Sequence, residues 1–223
     1  MKKLLIAFCL LVLCACGKEK SVLLPEIQNT KITEITDVSP AYLFYDETKP
    51  DSLELNKNNL IISTNWLVNV DKRLTLKQVI PSIIKLQEKK RNSDHKNKNV
   101  RNYFTCNATS IKNLGFVDFT DVVYDYERED KDGKIEPENT IFIVVLNLNK
   151  IIVYPLDKDD FETNINDFET NLKESLPVNN EKVNVKLSFN EILSFQDYIT
   201  LKYKLSQLNL ENTTINNHEY IIN

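Results

Sequence analysis

The chain has 223 residues and a mass of 25.9 kDa, with 42% hydrophobic and 27% charged residues, a globular balance that excludes disordered, collagenous and polytopic membrane chains. Its 28 Lys and Arg against 32 Asp and Glu give a net charge of −4, the wrong sign for neutralising phosphate backbones, so no nucleic acid is expected as a partner. Three glycines in the whole chain leave nothing for a Gly-rich phosphate loop.

Lys2 and Lys3 precede an apolar run from Leu4 to Leu13, too short to cross a hydrocarbon core that needs roughly 20 residues, so the pattern predicts a secretory signal. The run ends in Leu13-Cys14-Ala15-Cys16-Gly17, which resembles the bacterial lipobox. That resemblance implies cleavage before Cys16 by signal peptidase II, a diacylglycerol thioether on the Cys16 sulfur and acylation of the freed amine. Residues 1–15 are then signal peptide and 16–30 a lipidated tether. Taking 15 residues from 223 leaves 208, and the loss of Lys2 and Lys3 moves the net charge from −4 to −6. Several acyl chains at ~0.8 kcal/mol per buried CH₂ make a lasting membrane anchor. Gly17, rather than an acid, after the anchor points to the outer membrane, facing the periplasm. Cys9 and Cys14 depart with the signal, so Cys106 alone remains beside Cys16 and closes no intrachain disulfide.

Along the mature chain, Lys31 to Asp37 and Ala41 to Tyr45 predict strands, and Leu60 to Thr64 predicts a partner for the alternating Trp66, Val68 and Val70. Leu74 to Arg91 predicts a helix opened by a Thr75–Gln78 capping box, with Ile80, Ile83, Ile84 and Gln87 at helical spacing; Pro81 either sits in a first turn or kinks the helix. Lys89 to Arg101 reads as a solvated basic loop. Asn102 to Thr109 and Val117 to Tyr126 predict strands joined through Gly115, and Glu127 to Asn139 an acidic hairpin loop turning at Asp132-Gly133. Ile141 to Leu148 and Ile151 to Pro155 predict a buried hairpin about Asn149-Lys150. Asp160 to Leu176 predicts a helix with Phe161, Ile165, Phe168 and Leu172 on one face, within which Asp-Phe-Glu-Thr-Asn occurs twice. Val183 to Phe189 predicts a strand, Glu191 to Leu210 a long helix, and Glu219 to Ile222 a last short strand. The fold class is α+β, small sheets with helices packed on one face, in an N-terminal region (31–139) and a C-terminal region (140–223).

The order hairpin, helix, strand, helix, strand, carried by "IFIVVLNLNKIIVYPLD", "DFETNINDFETNLKESL" and "KVNVKLSFNEILSFQDYITLKYKLSQL", resembles the periplasmic domain of the ExbD/TolR biopolymer-transport family. A fainter copy is expected over Leu60 to Tyr126, with "NLIISTNWLVNVDKRLTLKQVIPSIIKL" as hairpin and helix and a truncated second helix near Ser110 to Leu114, giving two related strand-strand-helix-strand-helix-strand units. Family members carry a transmembrane helix with an acid used in motor action. The apolar run here holds no acid, so the motor role does not carry over. What the resemblance implies is a periplasmic unit that associates with itself, with cell-wall material or with envelope proteins.

Candidate catalytic residues are sparse. His95 and His218 are the two histidines, one in a polar loop and one beside the last strand. Cys106 sits in an alternating strand with no helix N-terminus to activate it. Asp130, Asp132, Gly133 and Ile135 fit inner positions of a calcium loop, but Arg128 and Asn139 stand where the ligands that fix the ion belong. Lys89, Lys90, Arg91, Lys96 and Lys98 form a basic stretch suited to anionic headgroups or cell-wall carboxylates. The expectation is a non-catalytic envelope lipoprotein with Cys16 as the lipid site, the membrane and an envelope protein or the cell wall as partners, a homodimer left open, and no cofactor. The alternatives are an envelope enzyme using carboxylates such as Asp121, Asp125 and Glu127, and a small-ligand module lined by Trp66 and tyrosines.

Overall fold

A computed structural model describes residues 20–94, 97–126, 139–177 and 181–223. Twelve strands among these residues form two mixed six-stranded sheets, accompanied by three α-helices. The first sheet is built from β1 (Glu26–Ile27), β2 (Val38–Tyr45), β3 (Leu53–Asn56), β4 (Asn65–Val70), β5 (Asn102–Ala108) and β6 (Asn113–Asp118). The second takes β7 (Val123–Tyr126), β8 (Thr140–Asn147), β9 (Lys150–Tyr154), β10 (Phe161–Thr163), β11 (Val183–Asn190) and β12 (Thr213–Ile222). Helices α1 (Leu76–Arg91), α2 (Phe168–Ser175) and α3 (Phe195–Gln207) link them.

The sheets share a plan. Strands run β3-β2-β4-β5 in one and β9-β8-β11-β12 in the other, each with an antiparallel hairpin followed by two parallel steps. Each parallel pair β4/β5 and β11/β12 is bridged by a helix, α1 or α3. The alternation predicted for Trp66, Val68 and Val70 places all three on the buried face of β4. Pro40 is tolerated in β2 because β3 begins pairing only at Tyr42, so no ladder bond to that side needs its missing N–H. The Thr75–Gln78 capping box opens α1, with the Thr75 N–H donating to Gln78 Oε1 at 2.7 Å. Pro81 lies inside the helix, beyond its first turn.

The two units meet about a local pseudo-two-fold. Asp71-Lys72-Arg73-Leu74-Thr75-Leu76 and Asn190-Glu191-Ile192-Leu193-Ser194-Phe195 make the same turn. Asp71 Oδ1 accepts from Arg73 N at 3.1 Å and Asn190 Oδ1 from Ile192 N at 2.9 Å. Thr75 and Ser194 form an antiparallel bridge; Leu76 N–H donates to Leu193 O at 2.9 Å and, reciprocally, Phe195 N–H to Leu74 O at 2.7 Å. The internal copy therefore differs from the sequence alignment. Leu60 to Thr64 is a turn pinned by Trp66 Nε1 donating to Ile61 O at 2.7 Å, so it is no hairpin strand; β4-α1 matches β11-α3, and β2-β3 matches β8-β9. Residues 109–112 turn into β6 instead of forming a truncated helix.

One hydrophobic cluster runs through both sheets, joining Leu43, Val68, Ile80 and Phe104 to Ile143, Phe168, Phe189 and Ile199. The region boundary at 139/140 does not coincide with a sheet boundary, because β7 pairs with β12 at the edge of the second sheet. Hence β7 and β8 are not neighbours; the expected hairpin loop turning at Asp132-Gly133 and the weighed calcium positions fall on residues 127–138, which lie outside the described residues.

Other local expectations were overridden by tertiary partners. The first Asp-Phe-Glu-Thr-Asn copy is strand, Phe161–Thr163 pairing with Ile151–Val153, and only the second is helix. Asn164 Oδ1 accepts from Asn166 N at 2.9 Å and sets the turn between them. Residues 31–37 form no strand, bonding to Asn65 only at Thr36 O and Asp37 O rather than along a ladder, and Gly115 lies within β6 opposite Cys106 rather than at a turn.

The segment expected to be a tether is docked from Lys20 onward; residues 16–19 lie outside the described residues. Lys20 pairs with Glu54, Leu23 N–H donates to Asp71 Oδ2 at 3.2 Å, and β1 takes β4's place beside the end of β5. Burial would raise Asp71, but the bidentate Arg73 guanidinium and two backbone N–H donors outweigh it and hold the carboxyl below its usual range. Gly115 makes this docking possible, since a Cβ there would lie 2.9 Å from Ile27 Cδ1 and 2.9 Å from Thr30 Cγ2.

Candidate functional site

A cleft of about 450 Å³ opens along the seam between the units. The docked N-terminal segment supplies Ile27 and Ile32 to its wall, β6 and the following turn supply residues 116–122, α3 supplies Lys202 and Leu205, and β12 supplies Ile215, Asn216 and Asn217. Its floor is apolar and its rim polar. The rim carboxylates Asp118 and Asp121 both bond Arg101, through Nε and, at 3.3 Å, through Nη2.

Two strand edges border the cleft. β6 pairs on one side only, with β5. β12 pairs with β11 along one flank, but on the other β7 joins it only from His218 to Ile221. Among the described residues, Thr213 to Asn217 therefore has no strand on its outer flank, and three of these residues line the cleft.

Beneath the wall lies a buried polar chain that the sequence reading missed. Glu219, 0% exposed, pairs through Oε1 with Lys202, and its Oε2 accepts from Tyr198 OH at 2.7 Å. The carboxylate only accepts, so Tyr198 donates to it and in turn accepts from Tyr124 OH at 3.0 Å. Burial first, and the Glu219 charge second, push both phenols well above their ordinary range, so both remain donors. Tyr198 and Lys202 stand four apart on α3, one turn, and so reach one carboxylate together. The available signal was parity: Glu219 shares the inward face of β12 with Ile221.

The sequence candidates do not converge. Asp121 faces Arg101, Asp125 Oδ2 accepts from His218 Nδ1 at 3.0 Å on an exposed surface, and Glu127 and His95 lie outside the described residues. Trp66 is a core residue, 1% exposed, and lines neither the seam cleft nor the cavity beside α1. Cys106 is fully buried and pushed up to about 12 by that burial, which makes it a structural thiol. Cys16 lies outside the described residues. Among the described residues no cluster of His, Cys, Asp and Glu has metal-site geometry, and no helix is long and apolar enough to cross a membrane. No protein-family model, curated protein or solved structure matches this chain.

Proposed function

We propose that the protein is a lipid-anchored envelope lipoprotein, held by Cys16 and facing the periplasm, that works without catalysis by binding an extended polypeptide segment in the seam cleft. The observation that carries this reading is the outer flank of β12 from Thr213 to Ile215, which among the described residues has no strand beside it and leads through a bulge at Asn216 and Asn217 along an apolar floor. Such an edge takes an added strand, with main-chain bonds giving affinity and side pockets giving selectivity. β7 already occupies the same flank beyond the bulge, from His218 to Ile221, so this side of β12 accepts a parallel neighbour. The order hairpin, helix, strand, helix, strand, with the short β10 inserted before the first helix, supports including an ExbD/TolR-like periplasmic unit in the proposal, without the motor role.

The test is site-specific photocrosslinking of the full lipidated chain in intact envelopes. A photoreactive residue at Asn216 or Gln207 is expected to give a discrete polypeptide adduct, and one at Lys150, in β9 on the opposite side of the second sheet, is expected to give none. Equal adduct formation at all three positions would overturn the assignment.

A further inference from the structure

A second cavity, about 270 Å³, lies at the C-terminal end of α1 and is lined by Gln87, Lys90, Arg91, Asn97, Lys98 and Asn102, with Thr120 and Asp121 on its far wall. Lys90 turns inward from the last turn of the helix and is 8% exposed. Its ammonium donates to Thr64 O at 3.1 Å and to Asn102 Oδ1 at 2.8 Å and lies 4.5 Å from the Trp66 ring centroid. All three partners are neutral. Among the described residues this buried ammonium has no counter-ion, which is costly, and burial alone draws it down to about 8.

Beside it, Gln87 is 5% exposed; its amide donates to Val122 O at 2.9 Å, while its Oε1 is buried without a partner. Arg91 and Lys98 add two charges with no acidic partner among the described residues, and the one acid on the wall, Asp121, is bonded to Arg101. The cavity thus presents three cations and one orphaned acceptor. The negative end of the α1 dipole favours the cations there but does not replace a counter-ion.

We propose that this cavity binds a phosphate-bearing polyol, with Lys90, Arg91 and Lys98 taking the phosphate oxygens and Gln87 Oε1 accepting from a hydroxyl. A dianionic tetrahedral group suits three cationic side chains lining one cavity better than a single carboxylate does, because several oxygens accept charge-assisted bonds at once. The same chemistry occurs on a free polyol phosphate and on the headgroup of an anionic lipid. This site is separate from the strand edge of β12 and stands whether or not that edge takes a peptide.

The experiment titrates the protein with glycerol 3-phosphate, with glycerol, and with sodium chloride at matched ionic strength, following amide shifts of residues 87–102. Saturable shifts with glycerol 3-phosphate alone are expected, weakened roughly tenfold in Arg91→Gln or Lys98→Gln, each an exposed side chain whose loss leaves the core intact. Vesicles of phosphatidylglycerol against phosphatidylcholine separate the sources: selective binding to the former supports the lipid headgroup, and glycerol 3-phosphate binding without vesicle binding supports the free ligand. Shifts that sodium chloride reproduces, or that both substitutions leave undiminished, would overturn the proposal.

Discussion

Glu219→Leu is the perturbation that the seam should feel most. The carboxylate is fully buried and satisfies Lys202 and Tyr198 together, and through Tyr198 it orders Tyr124 of β7. Removing one partner of a buried ion pair costs roughly 3–5 kcal/mol, because the other charge is stranded. Lys202 keeps a route to water, its side chain being 17% exposed at the cleft wall, so about 3 kcal/mol is expected. That is a large share of a typical stability of roughly 5–15 kcal/mol. At a urea slope of about 2–3 kcal/mol/M it moves the midpoint by roughly 1–1.5 M. Tyr198→Phe, which removes a bond to a charged acceptor, should cost roughly 1.5–3 kcal/mol, and Tyr124→Phe, which removes a neutral bond, roughly 0.5–1.5 kcal/mol. Adding Lys202→Met to Glu219→Leu should recover part of the loss, since it removes the stranded charge. Urea melts of the four variants test the order. A cost below about 1 kcal/mol for Glu219→Leu, or a larger one for Tyr124→Phe, would refute the reasoning that charge burial organises this seam.

Gly115→Val should cost roughly 1–3 kcal/mol and release the N-terminal segment, because its side chain would occupy the space of Ile27 and Thr30; faster amide exchange at Asn107 and Thr109, which donate to Pro25 O and Ile27 O, is the readout. Cys106 should resist alkylation in the native state and react quickly in urea, and reductant should leave the melting temperature unchanged; rapid native labelling would contradict its burial. Lys90 titrates near 8 when folded against 10.5 ordinarily, so above pH 8 the unfolded chain holds a proton that the folded one lacks, and its contribution to stability rises with pH. Melts of wild type minus Lys90→Met should show that rise between about pH 8 and pH 9.5, below the range where tyrosine ionisation opposes it; a flat difference would refute it.

Much of the architecture was legible because it rests on periodicity. The β4 alternation, the Thr75–Gln78 box, the Asn149-Lys150 hairpin and the buried β11 follow from residues that act on their own neighbours. What escaped depends on distant partners. Asp-Phe-Glu-Thr-Asn is strand at Phe161 because Ile151–Val153 lies beside it, and helix at Phe168 because nothing competes there. The N-terminal segment reads as polar tether, yet it docks through backbone bonds to β5 and through Asp71, which composition does not reveal. The same applies to the two cavities: the seam cleft draws its residues from five segments, while of the second only the basic spacing of Lys90, Arg91 and Lys98 was legible.

The most direct measurement of strand addition is amide hydrogen exchange at Thr213 to Asn217, compared between the lipidated protein in native envelopes and the same protein purified in detergent. The account predicts that these amides exchange more slowly in the envelope while those of Leu187 to Asn190, already paired within the sheet, exchange alike in both. Identical exchange at Thr213 to Asn217 in the two settings would contradict it.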